Sequence, residues 1–130
     1  MGNEQTAIEL TLPLRAEYVS VARLTVSGIA NRIGFDIETI EDIKVAVAEV
    51  CNKIIRGSNS KEGKYKITFN ILTDGLEILF DCSGSNINCL FDSDDDILEI
   101  SIIEALMDEL KILKNEPYIL AMSKILERDR

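Results

Sequence analysis

Hydrophobic and polar residues alternate along several stretches of the chain, and this period of two predicts β-strands. The first such stretch covers residues 7–12 and ends at Pro13. Two more, residues 64–73 and 76–82, are joined by Asp74-Gly75, a dipeptide typical of a type I′ turn with positive φ at both positions. We therefore expect one early strand and, later in the chain, a β-hairpin.

Apolar residues recur every three or four positions in other stretches, as on the buried face of a helix. The first predicted helix covers residues 16–33 and stops at Gly34. The second covers residues 37–56, where Asp36 is suited to cap the first turn. A third is expected over residues 97–109, and because apolar residues cover most of its surface we expect it to be well buried. The apolar stripe of the second helix consists of Ile40, Ile43, Val47, Cys51 and Ile54.

A final pair of strands, residues 110–114 and 117–125, completes the order βααββαββ. Helices combined with antiparallel hairpins indicate an α+β fold. We expect a two-layer sandwich in which a mixed, mostly antiparallel sheet carries the helices on one face. Since no repeat and no long linker divides the chain, we expect a single domain over residues 1–130.

Charge and hydropathy narrow the classes of function. The net charge is −9 and no cluster of Lys and Arg is present, which argues against nucleic-acid binding and favours a protein partner. No apolar run reaches the roughly 18 residues of a membrane span. We find no signal-peptide pattern, so we expect a cytoplasmic protein.

Residue types limit the chemistry. The chain has no histidine, so a general base would have to be a carboxylate or a lysine. The cysteines, Cys51, Cys82 and Cys89, match neither a disulfide framework nor a zinc ligand set. The acidic run at residues 92–96 is either a solvated loop or a calcium site, although it lacks the glycine and closing glutamate of an EF-hand loop.

Four stretches of the chain carry a family resemblance: residues 17–28, 40–51, 76–84 and 103–110. Together they resemble the anti-sigma-factor serine kinases of the histidine-kinase-like ATPase superfamily. The resemblance implies a histidine-kinase-like ATPase fold and a regulator of transcription that binds a sigma factor, an anti-sigma-factor antagonist or both, commonly as a homodimer. Many such proteins also use ATP and magnesium to phosphorylate a serine of the antagonist.

The resemblance assigns the position of the family's general base to Glu49. Four residues later, where the family has an asparagine that binds magnesium, this chain has Lys53. Asn52 lies one residue early, about 100° away around a helix. As i,i+4 neighbours, Glu49 and Lys53 can alternatively form an ordinary ion pair on the helix surface, which we favour.

The other nucleotide motifs also depart from the family. Cys82 stands where the resemblance places the aspartate that recognises adenine, and Asp81 lies one residue earlier, on the opposite face of the strand. Gly84 matches the first glycine of that motif, whereas Asn86 replaces the second. The glycine-rich turn before the third helix is replaced by residues 96–99, whose carboxylates would repel phosphates.

We therefore expect a binding protein with a degenerate ATP site and no cofactor. The alternative is an active serine-protein kinase that depends on ATP and magnesium and uses Glu49 as its base. Arg23 matches the arginine with which the family contacts its partner proteins. Its ordinary alternative role is an exposed ion pair with Glu17 or another carboxylate.

Overall fold

The predicted order of elements, βααββαββ, is present in the computed structural model, which describes residues 6–58, 62–82, 97–112 and 118–127. A short 3₁₀ turn at Ala16–Tyr18 precedes the first helix. The helices are α1 (Val19–Ile33), α2 (Ile37–Arg56) and α3 (Ile97–Leu106), and the strands are β1 (Thr6–Pro13), β2 (Lys64–Leu72), β3 (Gly75–Asp81), β4 (Glu109–Ile112) and β5 (Tyr118–Ile125). Within the described residues, no helix is both long and apolar enough to cross a membrane.

The ends of α1 and α2 follow from local signals in the sequence. Gly34 ends α1 in the left-handed region, with φ of 116°, which a residue without a Cβ adopts at little cost. Asp36 then caps α2, because its carboxylate accepts a hydrogen bond of 2.8 Å from the backbone N–H of Thr39. The predicted apolar stripe of α2 is buried throughout. The bounds of α2 therefore agree with the prediction.

The sheet has the strand order β1-β2-β3-β5-β4, and every neighbouring pair is antiparallel. Alternate side chains of its central strands are buried in one core with the helices, which confirms the α+β fold with helices on one face. The prediction of a mixed sheet differs in this detail, because β5 inserts antiparallel between β3 and β4. The buried apolar side chains of the central strands are Tyr65, Ile67, Phe69, Leu76, Ile78, Phe80, Leu120 and Met122.

The β2–β3 hairpin is confirmed, but its turn lies one residue earlier than predicted. Leu72 pairs with Gly75, so the two turn residues are Thr73 and Asp74. The expected type I′ turn is wrong, since Gly34 alone has a positive φ among the described residues. Gly75 instead lies against β5, where a Cβ would come within 2.5 Å of the carbonyl oxygen of Lys124. A close approach between strands, and not the turn, therefore requires this glycine.

The expected burial of α3 is wrong. Ile103 alone is buried within this helix, whereas Ile97 and Leu98 are 61% and 70% exposed. The helix also ends three residues earlier than predicted, at Leu106. There the ammonium group of Lys124 donates a hydrogen bond of 2.9 Å to the Leu106 carbonyl, satisfying an acceptor at the helix end.

Candidate functional site

The second half of α2 carries the residues to which the sequence analysis assigned catalysis and magnesium binding. Glu49, Asn52 and Lys53 are all half-buried there. The first turn of α3 approaches the same end of α2 and brings Glu99 to it. The site is thus built from two helices that are distant in the chain, and Glu99 is one of its central members.

Glu99 shares its carboxylate between two cations of α2. Its Oε1 lies 3.1 Å from Nζ of Lys53, and its Oε2 accepts a hydrogen bond from the guanidinium of Arg56. The side chains of Lys53 and Glu99 are 19% and 23% exposed, so their ion pair is only partly screened by water. We call these three residues the Glu99 ion cluster.

The ion pair expected between Glu49 and Lys53 is not formed. Among the described residues, the Glu49 carboxylate has neither a hydrogen-bond nor an ion-pair partner. An i,i+4 pair on a helix surface contributes only about 0.3–0.5 kcal/mol, so a carboxylate arriving from α3 competes with it easily. Asn52, which precedes Lys53 in the sequence, is half-buried.

The position of Lys53 decides what this end of the site can bind. A protonated amine carries three N–H donors and no lone pair for a metal ion. This ammonium is engaged by the Glu99 carboxylate. The donor set at this position therefore does not fit magnesium. Nowhere in the described part of the chain do three Cys, Asp or Glu residues come together as a metal site would require.

Cys82 directly follows the last residue of β3 and is only 2% exposed. Asp81 is opposite Lys66 in the antiparallel β2–β3 ladder. The residue after Asp81, Cys82, therefore lies next to the residue before Lys66, which is Tyr65. Cys51 of α2 covers the same part of the core, where its thiol lies close to the Tyr65 hydroxyl. The residue that the sequence analysis missed here is Tyr65, and the cross-strand register was the signal that could have found it.

This buried cluster of Cys51, Tyr65 and Cys82 is uncharged at neutral pH. Burial raises the pKa of the Cys51 thiol to about 11 and that of the Cys82 thiol to about 12, the latter with a contribution from the neighbouring Asp81 carboxylate. Burial also raises the pKa of Tyr65. The Tyr65 hydroxyl has no hydrogen-bond partner of good geometry within the described residues. Cys82 therefore presents a neutral thiol where the resemblance implies a carboxylate.

Asp81 is half-buried and faces away from Cys82, as the period of the strand predicted. The pairing with β5 shifts register beside it, between Phe80 and Asp81. Gly84, Asn86 and Cys89 lie outside the described residues, as does the acidic run at residues 92–96.

Arg23 is exposed on α1, whereas the residues of the Glu99 ion cluster belong to α2 and α3. The ion pair with Glu17 that was its alternative role is not found in the described part of the chain. Its neighbours Val21 and Leu24 are 37% and 73% exposed. Arg23 is therefore an exposed cation on α1, about 100° around the helix from Leu24 and about 200° from Val21.

Comparison with known families and structures defines the class of domain to which the chain belongs. The family model of the histidine kinase-like ATPase domain matches residues 12–124. The structure of the RsbU and RsbW domains of a Mycobacterium tuberculosis protein superposes with a TM-score of 0.73. The two sequences are 16% identical, and the match covers 95% of this chain and 33% of the Mycobacterium tuberculosis chain. This structure therefore supports the fold alone.

Two curated relatives are similar over almost the full length of the chain. The serine-protein kinase RsbW of Halalkalibacterium halodurans is 33% identical over 142 aligned residues, which cover 98% of this chain and 88% of the relative. The serine-protein kinase RsbW of Bacillus pumilus is 31% identical, and the alignment covers 100% of this chain and 92% of that relative. The chain therefore belongs to the histidine kinase-like ATPase domain family, among the RsbW serine-protein kinases and anti-sigma factors.

Proposed function

We propose that this protein is a cytoplasmic regulator that binds a sigma factor, or an antagonist of the sigma pathway, as a homodimer and without ATP-dependent phosphoryl transfer. Its membership among the anti-sigma factors supports the binding function. The loss of phosphoryl transfer is argued from this chain's own residues. No ATP and no magnesium are required for the binding that we propose.

The observation that carries the proposal is the ion pair between Lys53 and Glu99. An ammonium group stands where a magnesium ligand would be needed, and a carboxylate of α3 stabilises its charge. Phosphoryl transfer depends on magnesium to neutralise the charge that develops between the phosphates. Restoring a metal here would require both Lys53 and Glu99 to rearrange.

Cys82 supports the same conclusion at the other end of the site. A carboxylate that accepts a hydrogen bond from an adenine amino group must be ionised and reachable. The Cys82 thiol is neutral and 2% exposed, and a thiol is a weak hydrogen-bond acceptor. Both halves of an ATP molecule would therefore lack the contact that holds them.

The surface around Arg23 is our candidate for partner binding. Interfaces are enriched in arginine, and α1 also exposes the apolar side chain of Leu24 beside it in sequence. Removing a central interface arginine commonly costs more than about 1 kcal/mol of binding free energy. Arg23 is exposed, so its substitution leaves the core untouched.

A binding titration with a candidate sigma factor, with and without ATP and magnesium, tests this proposal. We expect the same dissociation constant in both conditions and at least about fivefold weaker binding for Arg23→Ala. Arg32→Ala, an exposed change on the same helix, is the matched control. Binding that appears only with ATP and magnesium would contradict the proposal. Light scattering of the purified protein should give the mass of a homodimer.

One observation favours the alternative function, an active serine-protein kinase. The Glu49 carboxylate is half-buried and, within the described residues, unpaired, as a general base awaiting a substrate would be. Incubation with labelled ATP, magnesium and a candidate antagonist tests this alternative. Serine phosphate that disappears in Glu49→Gln would establish the kinase. We expect no transfer with either protein.

A further inference from the structure

The two edges of the sheet differ in how they are protected against pairing with another chain. β4, at one edge, has four residues, and its exposed positions are the charged Glu109 and Lys111. Short strands and charged side chains are common protections of a sheet edge. β1, at the other edge, has eight residues, and its pairing with β2 runs from Thr6 to Pro13 without a change of register. β1 therefore forms a long, regular edge whose outer side no strand of the described sheet covers.

β1 also leaves apolar surface uncovered at this edge. Ile8, Leu10 and Leu12 lie on the face of the sheet that carries the helices, opposite residues of β2 that belong to the core. Ile8 is nevertheless 37% exposed and Leu10 is half-buried, whereas Leu12 is 5% exposed. The strand carries a single charged residue, Glu9. An edge that is long, apolar and nearly uncharged is prone to pair with another strand.

The sequence of β1 is self-complementary in one antiparallel register. Residues directly opposite each other share a face of the sheet, so the pairing must set apolar positions against apolar positions. In a register centred on Leu10, Ile8 lies opposite Leu12 of the second copy, and Glu9 lies opposite Thr11 on the other face. A register centred on Glu9 would set two carboxylates against each other, which is destabilising. Registers centred elsewhere pair fewer residues of β1.

A bare, solvated edge makes a different prediction. Proline ends the strand at Pro13, and edge strands tolerate proline because they need not donate every backbone hydrogen bond. If β1 were only a solvated edge, a charge added to its outer face would leave the association of the protein unchanged. The mass of suitable variants in solution therefore separates the two roles.

We propose that β1 pairs antiparallel with β1 of a second copy of this chain, centred on Leu10, so that the two sheets become continuous. The inference rests on the proposed function in one respect, since it identifies the surface through which the proposed homodimer forms. A second copy is the occupant because the register is satisfied by the strand's own sequence. A two-fold axis at Leu10 makes each contact occur twice, including the one between Glu9 and Thr11.

Sedimentation equilibrium of the full chain over a range of concentrations tests the inference with Thr11→Glu. This variant sets a new carboxylate opposite Glu9 of the second copy at two symmetric positions, so we expect the dimer to dissociate on the order of tenfold more readily. Within one copy, Thr11 is exposed and opposite Lys66, so the added charge is compatible with the fold. Ser101→Glu adds the same charge at an exposed position of α3 and should leave the dissociation constant unchanged.

The double variant Glu9→Lys/Thr11→Glu should recover the association of the wild type, because opposite charges then face each other across the two strands. The inference would be overturned by a loss no larger in Thr11→Glu than in Ser101→Glu, or by no recovery in the double variant, with every variant folded by circular dichroism. A dimer that persists in all variants would refute pairing through β1 and leave the proposed homodimer standing. A monomeric wild type would refute both, whereas the sigma-factor titration decides the binding function separately.

Discussion

Lys53 on α2 and Glu99 on α3 are joined by an ion pair of 3.1 Å between Nζ and Oε1. The pair ties two helices together at the end of α2, where the family resemblance implies a magnesium ligand. A positive charge therefore stands at the position of the implied metal ligand, and a carboxylate of the same chain pairs with it. The fold of the ATPase domain family is retained, and we propose that the chemistry at this position has changed.

Gly75 is required by its close contact with β5, so we expect Gly75→Ala to destabilise the protein by about 1–3 kcal/mol. The added Cβ would meet the Lys124 carbonyl oxygen at 2.5 Å, and backbone cannot move aside cheaply. The matched control is Gly28→Ala in α1, where a Cβ meets nothing within 4 Å. That change should stabilise by about 0.5–1 kcal/mol through helix propensity. Urea unfolding measures both, and similar values for the two variants would refute this account of Gly75.

The core between α2 and the sheet should be sensitive to lost volume. Ile43 is fully buried, so Ile43→Ala is expected to lower the free energy of unfolding by about 2–5 kcal/mol. Ile37 lies on the same helix but is 79% exposed, so Ile37→Ala should change it by less than about 0.5 kcal/mol. Chemical denaturation of both variants checks the contrast. A loss at Ile43 no larger than that at Ile37 would place the core elsewhere.

The cap of α2 should make stability depend on pH in the acid range. Hydrogen bonds from Thr39 lower the pKa of Asp36 below its ordinary value of 3.8. A lowered pKa means that the ionised cap stabilises the fold above pH 3.8, and that this contribution is lost as the pH falls through the folded-state pKa. The difference in Tm between the wild type and Asp36→Ala should therefore narrow in acid. The difference in Tm between Asp36→Asn, which caps without titrating, and Asp36→Ala should not change in acid. A difference between the wild type and Asp36→Ala that widens in acid would contradict the assignment.

The buried thiols should be unreactive in the folded protein. Burial raises the pKa of Cys51 to about 11 and of Cys82 to about 12, so little thiolate is present at pH 8. In a Cys89→Ser background, Ellman's reagent should label neither thiol under native conditions and both in denaturant. Since both values are raised, their contribution to stability is complete below pH 9 and is lost as the pH rises toward the folded-state values. Rapid labelling of one native thiol would show that this part of the core is open.

Local signals predicted α2 well because they lie within the helix itself. The cap at Asp36 and the spacing of apolar residues define its start and its buried face, and both depend only on neighbouring positions. The β2–β3 hairpin was predictable from alternation for the same reason. The α+β class then followed from the order of the elements.

Features set by contacts distant in the chain could not be predicted in this way. The apolar character of α3 indicated burial, yet Ile97 and Leu98 are exposed, because composition does not say which faces find a partner. The dipeptide at Gly75 indicated a turn, although its packing against β5 is what requires glycine. Likewise, spacing paired Lys53 with Glu49, while the folded chain supplies Glu99 from another helix.

The central claim is that the fold of this family persists here without its nucleotide chemistry. Titration calorimetry of the wild-type protein with ATP and magnesium tests it most directly. We predict no binding up to millimolar ATP, since Lys53 replaces the metal ligand and Cys82 is buried and neutral at the adenine position. A dissociation constant in the micromolar range would contradict the claim.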